Sequence, residues 1–126
     1  MRRISLALGL VAIAALAMAC SSTGAKPSAP SGPAVDGPTI VAKDMTFQTA
    51  SVEVTAGTNV TIHFDNQDSA PHNVAIYTDS GAGTAIAVGE VVTSAKSDQV
   101  VPALQPGSYF FRCDVHHDMT GTIVAK

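Results

Sequence analysis

From Thr39 to the C-terminus the apolar residues fall in short runs separated by Gly, Pro, Asn, Asp and Ser, the pattern of an all-β sandwich or barrel. Thr39-Ile-Val-Ala predicts a first strand, and Met45-Thr-Phe47 resumes the apolar run after Lys43-Asp44. Val52 and Val54 alternate with Glu53 and Thr55. After the turn Ala56-Gly57-Thr58-Asn59, residues Val60, Ile62 and Phe64 alternate with Thr61, His63 and Asp65. A period of two sends one set inward and the other to solvent, so both segments predict half-buried antiparallel strands. His63 shares parity with Thr61 and Asp65 and faces out.

His72 has the opposite fate. Behind the polar loop Asp65-Asn-Gln-Asp-Ser-Ala70 it shares parity with Val74 and Ile76, which places its ring on the inner face at the start of a strand. Pro71 fixes its own φ and biases Ala70 toward extended backbone, stiffening the approach. Thr78 to Thr84 predicts a loop and Ile86 to Val92 an irregular strand with a bulge at Gly89. Gln99 to Leu104 predicts an edge strand, because Pro102 cannot donate to a central ladder. After the turn Gln105-Pro106-Gly107, residues Tyr109, Phe111 and Cys113 share the inner face, and Thr120 to Ala125 runs back as the second arm of a hairpin. His72 begins its strand and Cys113 ends its own, so antiparallel placement brings both to one end of the fold.

The N-terminal third reads differently. Met1-Arg2-Arg3 is a basic start, Ile4 to Met18 an apolar stretch, and small residues precede Cys20. This is the layout of an export signal over 1–19, too short to favour a membrane-spanning helix. Ala17-Met18-Ala19-Cys20 resembles a bacterial lipoprotein cleavage box, which makes Cys20 the lipidated first residue of the mature chain; the alternative is an ordinary secretory signal. Residues 20–38 are rich in Ser, Gly, Pro and Ala with little to bury, and predict a disordered tether to one domain over 39–126.

Charge narrows the partners. Past the signal the chain carries five basic residues (Lys26, Lys43, Lys96, Arg112, Lys126) against ten acidic ones, a net of −5 with His neutral. Nothing in that balance suits neutralising phosphates, so nucleic acid is not an expected partner. The two cysteines do not predict a disulfide. Cys20 lies in the processing site, and Cys113 stands in a ligand-rich loop that a bridge would consume.

That loop carries the chemistry. Cys113-Asp-Val-His116-His117-Asp-Met119 sets a thiolate, two imidazoles and a thioether in seven residues, directly after an aromatic strand. A trigonal pair of His with one Cys, and a long weak bond to Met, is the arrangement copper uses for one-electron transfer. The loop supplies Cys, one of two His, and Met. The remaining His comes from elsewhere, and parity favours His72 over His63. On ligand types alone, zinc held by Cys113, two His and Asp118 is also open.

Cys113-x-x-His116-x-x-Met119, with the upstream Pro71-His72-Asn73, resembles the cupredoxins, the small blue copper proteins, and is most similar to the amicyanin and plastocyanin-like branch. The resemblance covers roughly Thr39 to Lys126. It implies a Greek-key β-sandwich of about seven to eight strands and one type 1 copper ion bound by His72, Cys113, His116 and Met119. It implies too that the ring edge of His116 is the port for electrons, and that Asn73 hydrogen-bonds across to the segment after the Cys, here Asp114. Pro71, Asn73 and Asp114 are thus expected to support the ligands without binding the ion. Relatives often have Pro where this chain has His117, which is expected to face solvent at a docking surface.

The function these expectations favour is a one-electron carrier cycling Cu(II)/Cu(I) between redox partner proteins. It would be exported to the cell envelope, on the periplasmic or extracellular face, and touch the membrane only through a lipid on Cys20. The alternative is a copper delivery or buffering protein of the envelope. Delivery prefers exposed Cys or Met clusters, and this domain has one Cys and two Met, Met45 and Met119. An enzyme needs an open coordination position or a second metal; none is expected.

Overall fold

The computed structural model describes residues 30–126. The expected signal over 1–19, the lipidation site Cys20 and the first part of the tether lie outside the described residues. Within them the chain forms nine strands: β1 (Ala34–Lys43), β2 (Thr46–Phe47), β3 (Ser51–Val54), β4 (Asn59–Asn66), β5 (Ala75–Tyr77), β6 (Ala85–Val88), β7 (Lys96–Val101), β8 (Gly107–Arg112) and β9 (Thr120–Ala125). They build two sheets, ordered β2-β1-β4-β7 and β3-β9-β8-β5-β6. The β1–β4 and β3–β9 pairs are parallel and the rest antiparallel. Among the described residues no helix is long and apolar enough to cross a membrane.

The inner faces follow the period of two. Along β4, Val60, Ile62 and Phe64 are buried while Thr61, His63 and Asp65 are half-buried on the opposite face. Ile40, Ile62, Ile76, Phe111 and Ile123 from both sheets are fully buried between the layers. Phe47 bridges them, with its ring 6.3 Å from Phe64 in one sheet and 5.2 Å from Phe111 in the other. Aromatic pairs at these separations add to the burial of their area.

Several expectations need correcting. Val52 and Val54 lie on β3, which pairs parallel with β9 and not antiparallel, and β4 pairs parallel with β1 and antiparallel only with β7. The first strand begins at Ala34 rather than Thr39, because the ladder with β4 runs from Ala34↔Asn59 and passes Gly37-Pro38 through a register shift between Asp36 and Thr39. Pro38 is tolerated since β2 covers β1 only at Ala42 and Lys43, leaving an edge where a missing donor costs little. The bulge in β6 falls at Ile86, where Ile76↔Ala87 and Tyr77↔Ala85 skip one residue. Gly89 lies beyond that strand, and its lack of a side chain serves close approach: a Cβ there would sit 2.9 Å from both Val74 O and Gln99 Oε1. His72 does not open β5, which starts at Ala75. It forms an isolated bridge with Val92, the two amides donating to the opposite carbonyls at 3.0 and 2.9 Å.

β7 is an edge strand, but it spans Lys96–Val101 rather than the expected Gln99 to Leu104, and Pro102 stands just past its end, so the edge position does not come from that proline. The β8–β9 hairpin runs from Gly107↔Ala125 to Arg112↔Thr120. β5 pairs antiparallel with β8 through Ala75↔Arg112. The segment before β5 and the segment after β8 therefore meet at one end of the sandwich.

Candidate metal centre

At that end, the backbone leaves its ladders and polar side chains fix its course. The loop between β8 and β9 closes on itself: the Cys113 amide donates to Met119 O at 3.0 Å, and the Met119 amide to His116 O at 3.0 Å. Alternation along β8 carries Cys113 inward after Phe111, and both are fully buried. Met119 is buried in the same core. Across from this loop His72 is held by its bridge to Val92, its side chain 0 % exposed.

His72, Cys113 and His116 bring one donor atom each within 4.8 Å of one another. His72 Nδ1 lies 3.7 Å from Cys113 Sγ and 3.1 Å from His116 Nδ1, and the two rings meet at 65°. Cys113 is a free thiol. One sulfur and two imidazole nitrogens, gathered in a pocket closed to solvent on the His72 and Cys113 side, fit a borderline ion such as copper. Asp118 is exposed and takes no part in the cluster. His63 is far from it in role, clamped between Asp36 and Asp98 on the outer face of the sheet. His117 is exposed, and its Nε2–H donates back to Asp114 O at 3.1 Å.

The supporting residues divide. Asn73, buried, accepts the Asp114 amide on Oδ1 at 2.8 Å and donates to Gly89 O at 3.2 Å. This bond uses the backbone of residue 114 and does not depend on that residue's side chain. The Asp114 carboxylate serves another network, accepting from Tyr77 OH at 2.7 Å and Arg112 Nε at 3.1 Å, while the Arg112 guanidinium stacks 5.0 Å over the Tyr77 ring. Burial first and then the Asp114 carboxylate push the Tyr77 hydroxyl above its ordinary pKa. Burial works against the charge of Arg112, but Asp114 and Tyr77 outweigh it and hold its pKa up. Pro71 is exposed.

Two residues of the polar loop were not singled out by the sequence. Asn66, buried, donates to Ala70 O at 2.9 Å and Val92 O at 2.7 Å and accepts the Asp68 amide at 2.9 Å. Asp68 accepts the Asp44 amide at 2.7 Å, the Met45 amide at 3.0 Å and His72 Nε2–H at 3.1 Å. The Met45 amide above all, with help from Asp44 and His72, holds its carboxyl below the usual carboxylate range. No periodicity marks such residues, and their bonds to Val92, Asp44 and Met45 cross more than twenty positions of the chain.

The comparisons agree with this geometry. The family model described as a cupredoxin-like domain matches residues 9–125. Among curated protein sequences none matches significantly. Reduced auracyanin from the photosynthetic bacterium Roseiflexus castenholzii superposes with a TM-score of 0.64 at 18% identity, over 75% of this chain and 99% of that one. Auracyanin A, a blue copper protein from Chloroflexus aurantiacus, gives 0.61 at 21% identity over 71% and 100%. Amicyanin from Paracoccus versutus gives 0.55 at 25% identity over 83% and 94%. The chain belongs to the cupredoxin-like domain family.

Proposed function

We propose that this chain is an exported blue copper protein that carries single electrons, with one copper ion as its cofactor. His72, Cys113 and His116 would hold the ion, and Met119 would be its weak axial ligand. The observation that supports this most directly is the convergence of His72 Nδ1, Cys113 Sγ and His116 Nδ1 within 4.8 Å. When bound in such a set, copper supplies a reversible one-electron couple.

The protein's part is to hold the donors still. Cys113 and Met119 are tied by backbone bonds at the two ends of the loop, and Asn73 ties that loop to the His72 segment. A ligand set fixed before the metal arrives changes little between oxidation levels, which keeps the barrier to electron transfer low. Burial of Cys113 and Met119 supports a carrier over a delivery protein, whose ligands must be reached by an acceptor. His116 is only half-buried, so its ring offers the shortest exit for an electron toward a redox partner. No enzymatic step is assigned to the chain.

The N-terminal pattern supports export and a lipid on Cys20, with the stretch that follows as a tether from the membrane surface. Mass spectrometry of the N-terminal peptide from the native host tests this, and an unmodified Cys20 overturns it. The copper reading is tested by the visible spectrum and voltammetry of copper-loaded protein. An intense thiolate charge-transfer band with a reversible one-electron wave is expected. A colourless Cu(II) complex, or one that surrenders its metal at once to a competing chelator, overturns the reading.

A further inference from the structure

Resting on the copper reading above, we propose that Asp68 is a positioning residue of the metal centre. Its carboxylate, seated in the β1–β2 turn, takes the Nε2–H of His72 and so presents the Nδ1 lone pair of that ring to the ion. The turn is the unusual part. Lys43 pairs with Thr46, leaving Asp44 and Met45 as a two-residue loop with φ of 54° and 59°. Consecutive left-handed residues are what such a hairpin turn requires, and Gly or Asn normally fills them; a Met there is uncommon. In return, two successive amides point the same way and form an anion-binding concavity. They donate to Asp68 Oδ1 at 2.7 Å and Oδ2 at 3.0 Å.

The same Oδ2 accepts His72 Nε2–H at 3.1 Å. The backbone of Asp68 is fixed as well, its amide on Asn66 Oδ1 at 2.9 Å and its carbonyl taking the Ser94 amide at 3.0 Å and hydroxyl at 2.9 Å. A carboxylate accepts, so the 3.1 Å contact assigns the shared proton to His72 Nε2. Nδ1 is left as a lone pair, facing Cys113 Sγ at 3.7 Å and His116 Nδ1 at 3.1 Å. A carboxylate behind a ligating imidazole fixes the tautomer and strengthens the donor. A negative charge at that place favours the more highly charged oxidised ion over the reduced one.

The test compares wild type with Asp68→Asn, each loaded with Cu(II) and separately with Cu(I), by chelator competition and voltammetry. Cu(II) affinity is expected to fall about 10–100-fold, with Cu(I) affinity falling less and the potential rising. Each tenfold of difference between the two affinities corresponds to about 59 mV for one electron. If both affinities fall equally at unchanged potential, Asp68 is only a loop tether and the proposal is overturned. Unchanged affinities overturn it too. A wild-type protein without a blue band overturns the copper reading itself, which separates the two failures. Should Asp68→Asn not fold, metal-free wild type answers by the nitrogen-15 shifts of the His72 ring: a proton on Nε2 is expected, and a proton on Nδ1 overturns the assignment.

Discussion

Replacing Asn66 by Ala isolates what a buried amide does at the irregular end of the sandwich. The side chain is 2 % exposed and makes three hydrogen bonds, to Ala70 O, to Val92 O and from the Asp68 amide. Val92 O keeps the amide of His72, so it loses only the net value of one bond, about 1 kcal/mol. Ala70 O and the Asp68 amide lose the partner shown here; both residues are half-buried, so water makes up part of the loss and each costs about 1 kcal/mol. The expected destabilisation is about 3 kcal/mol, a large part of the roughly 5–15 kcal/mol that keeps a domain folded. Urea denaturation of metal-free protein measures it, with Asn66→Asp as the control. Aspartate keeps the volume and the acceptor for Asp68 but sets a carboxylate against two carbonyl oxygens, so it should lose no less than Ala. An Ala variant within about 1 kcal/mol of wild type, or an Asp variant clearly better than Ala, would refute the idea that these bonds and not packing hold the loop.

Three further outcomes are expected. When protonated, His63 donates to both Asp36 and Asp98, at 2.8 and 2.7 Å, and these bonds, Asp36 foremost, raise its pKa above the ordinary 6.5. Its contribution is therefore fully present below the unfolded-state value and is lost as pH rises through the folded-state value. With partners 89% and 66% exposed, the loss between mildly acidic and alkaline pH is under about 1 kcal/mol; His63→Gln should flatten that part of the urea-midpoint profile, and an unaltered slope counts against the clamp. Gly121 stands opposite Phe111 in the β8–β9 ladder, and a Cβ there would overlap the Phe111 ring and come 2.8 Å from Ala50 O. Gly121→Ala should thus cost about 1–3 kcal/mol by denaturation, and a neutral result would show that the ring has room to move. His116→Ala should abolish the blue band of copper-loaded protein while His117→Ala keeps it, since only His116 belongs to the cluster; the reverse result would reassign the ligand.

Much of the frame was legible because the inner face repeats. The alternation in β4 placed Val60, Ile62 and Phe64 inside and His63 outside, and alternation along β8 sent Cys113 inward; His72 is buried too, but so is every residue from His72 to Tyr77, so parity does not account for it. Their convergence follows from the antiparallel β5–β8 pair together with the isolated bridge that holds His72 ahead of β5. The ligand types stood out as well, since Cys, His and Met are scarce here and few other uses need them close together. Where the ladder breaks, legibility ends. Gly37-Pro38 looked like tether, yet it is absorbed as an irregularity in a parallel ladder with β4. Asp68 looked like one more polar loop residue, although its bonds reach Asp44 and Met45 across more than twenty positions of sequence.

Those two kinds of invisibility have one physical origin. A metal centre at the end of a sandwich takes its ligands from beyond the regular ladders, here His72 on an isolated bridge and the others in the loop after β8, and buried amides and carbonyls must still be satisfied. In this chain Asn66, Asp68 and Asn73 supply those partners, joining the β1–β2 turn, the segment before β5, the segment after β6 and the ligand loop. Asn and Asp suit this because a short polar side chain imitates a backbone group. Their commonness in ordinary turns is what hides them in sequence. The rigidity that the proposed electron carrier would depend on is therefore set less by the rare residues that would touch copper than by three common ones that fasten the loops around it.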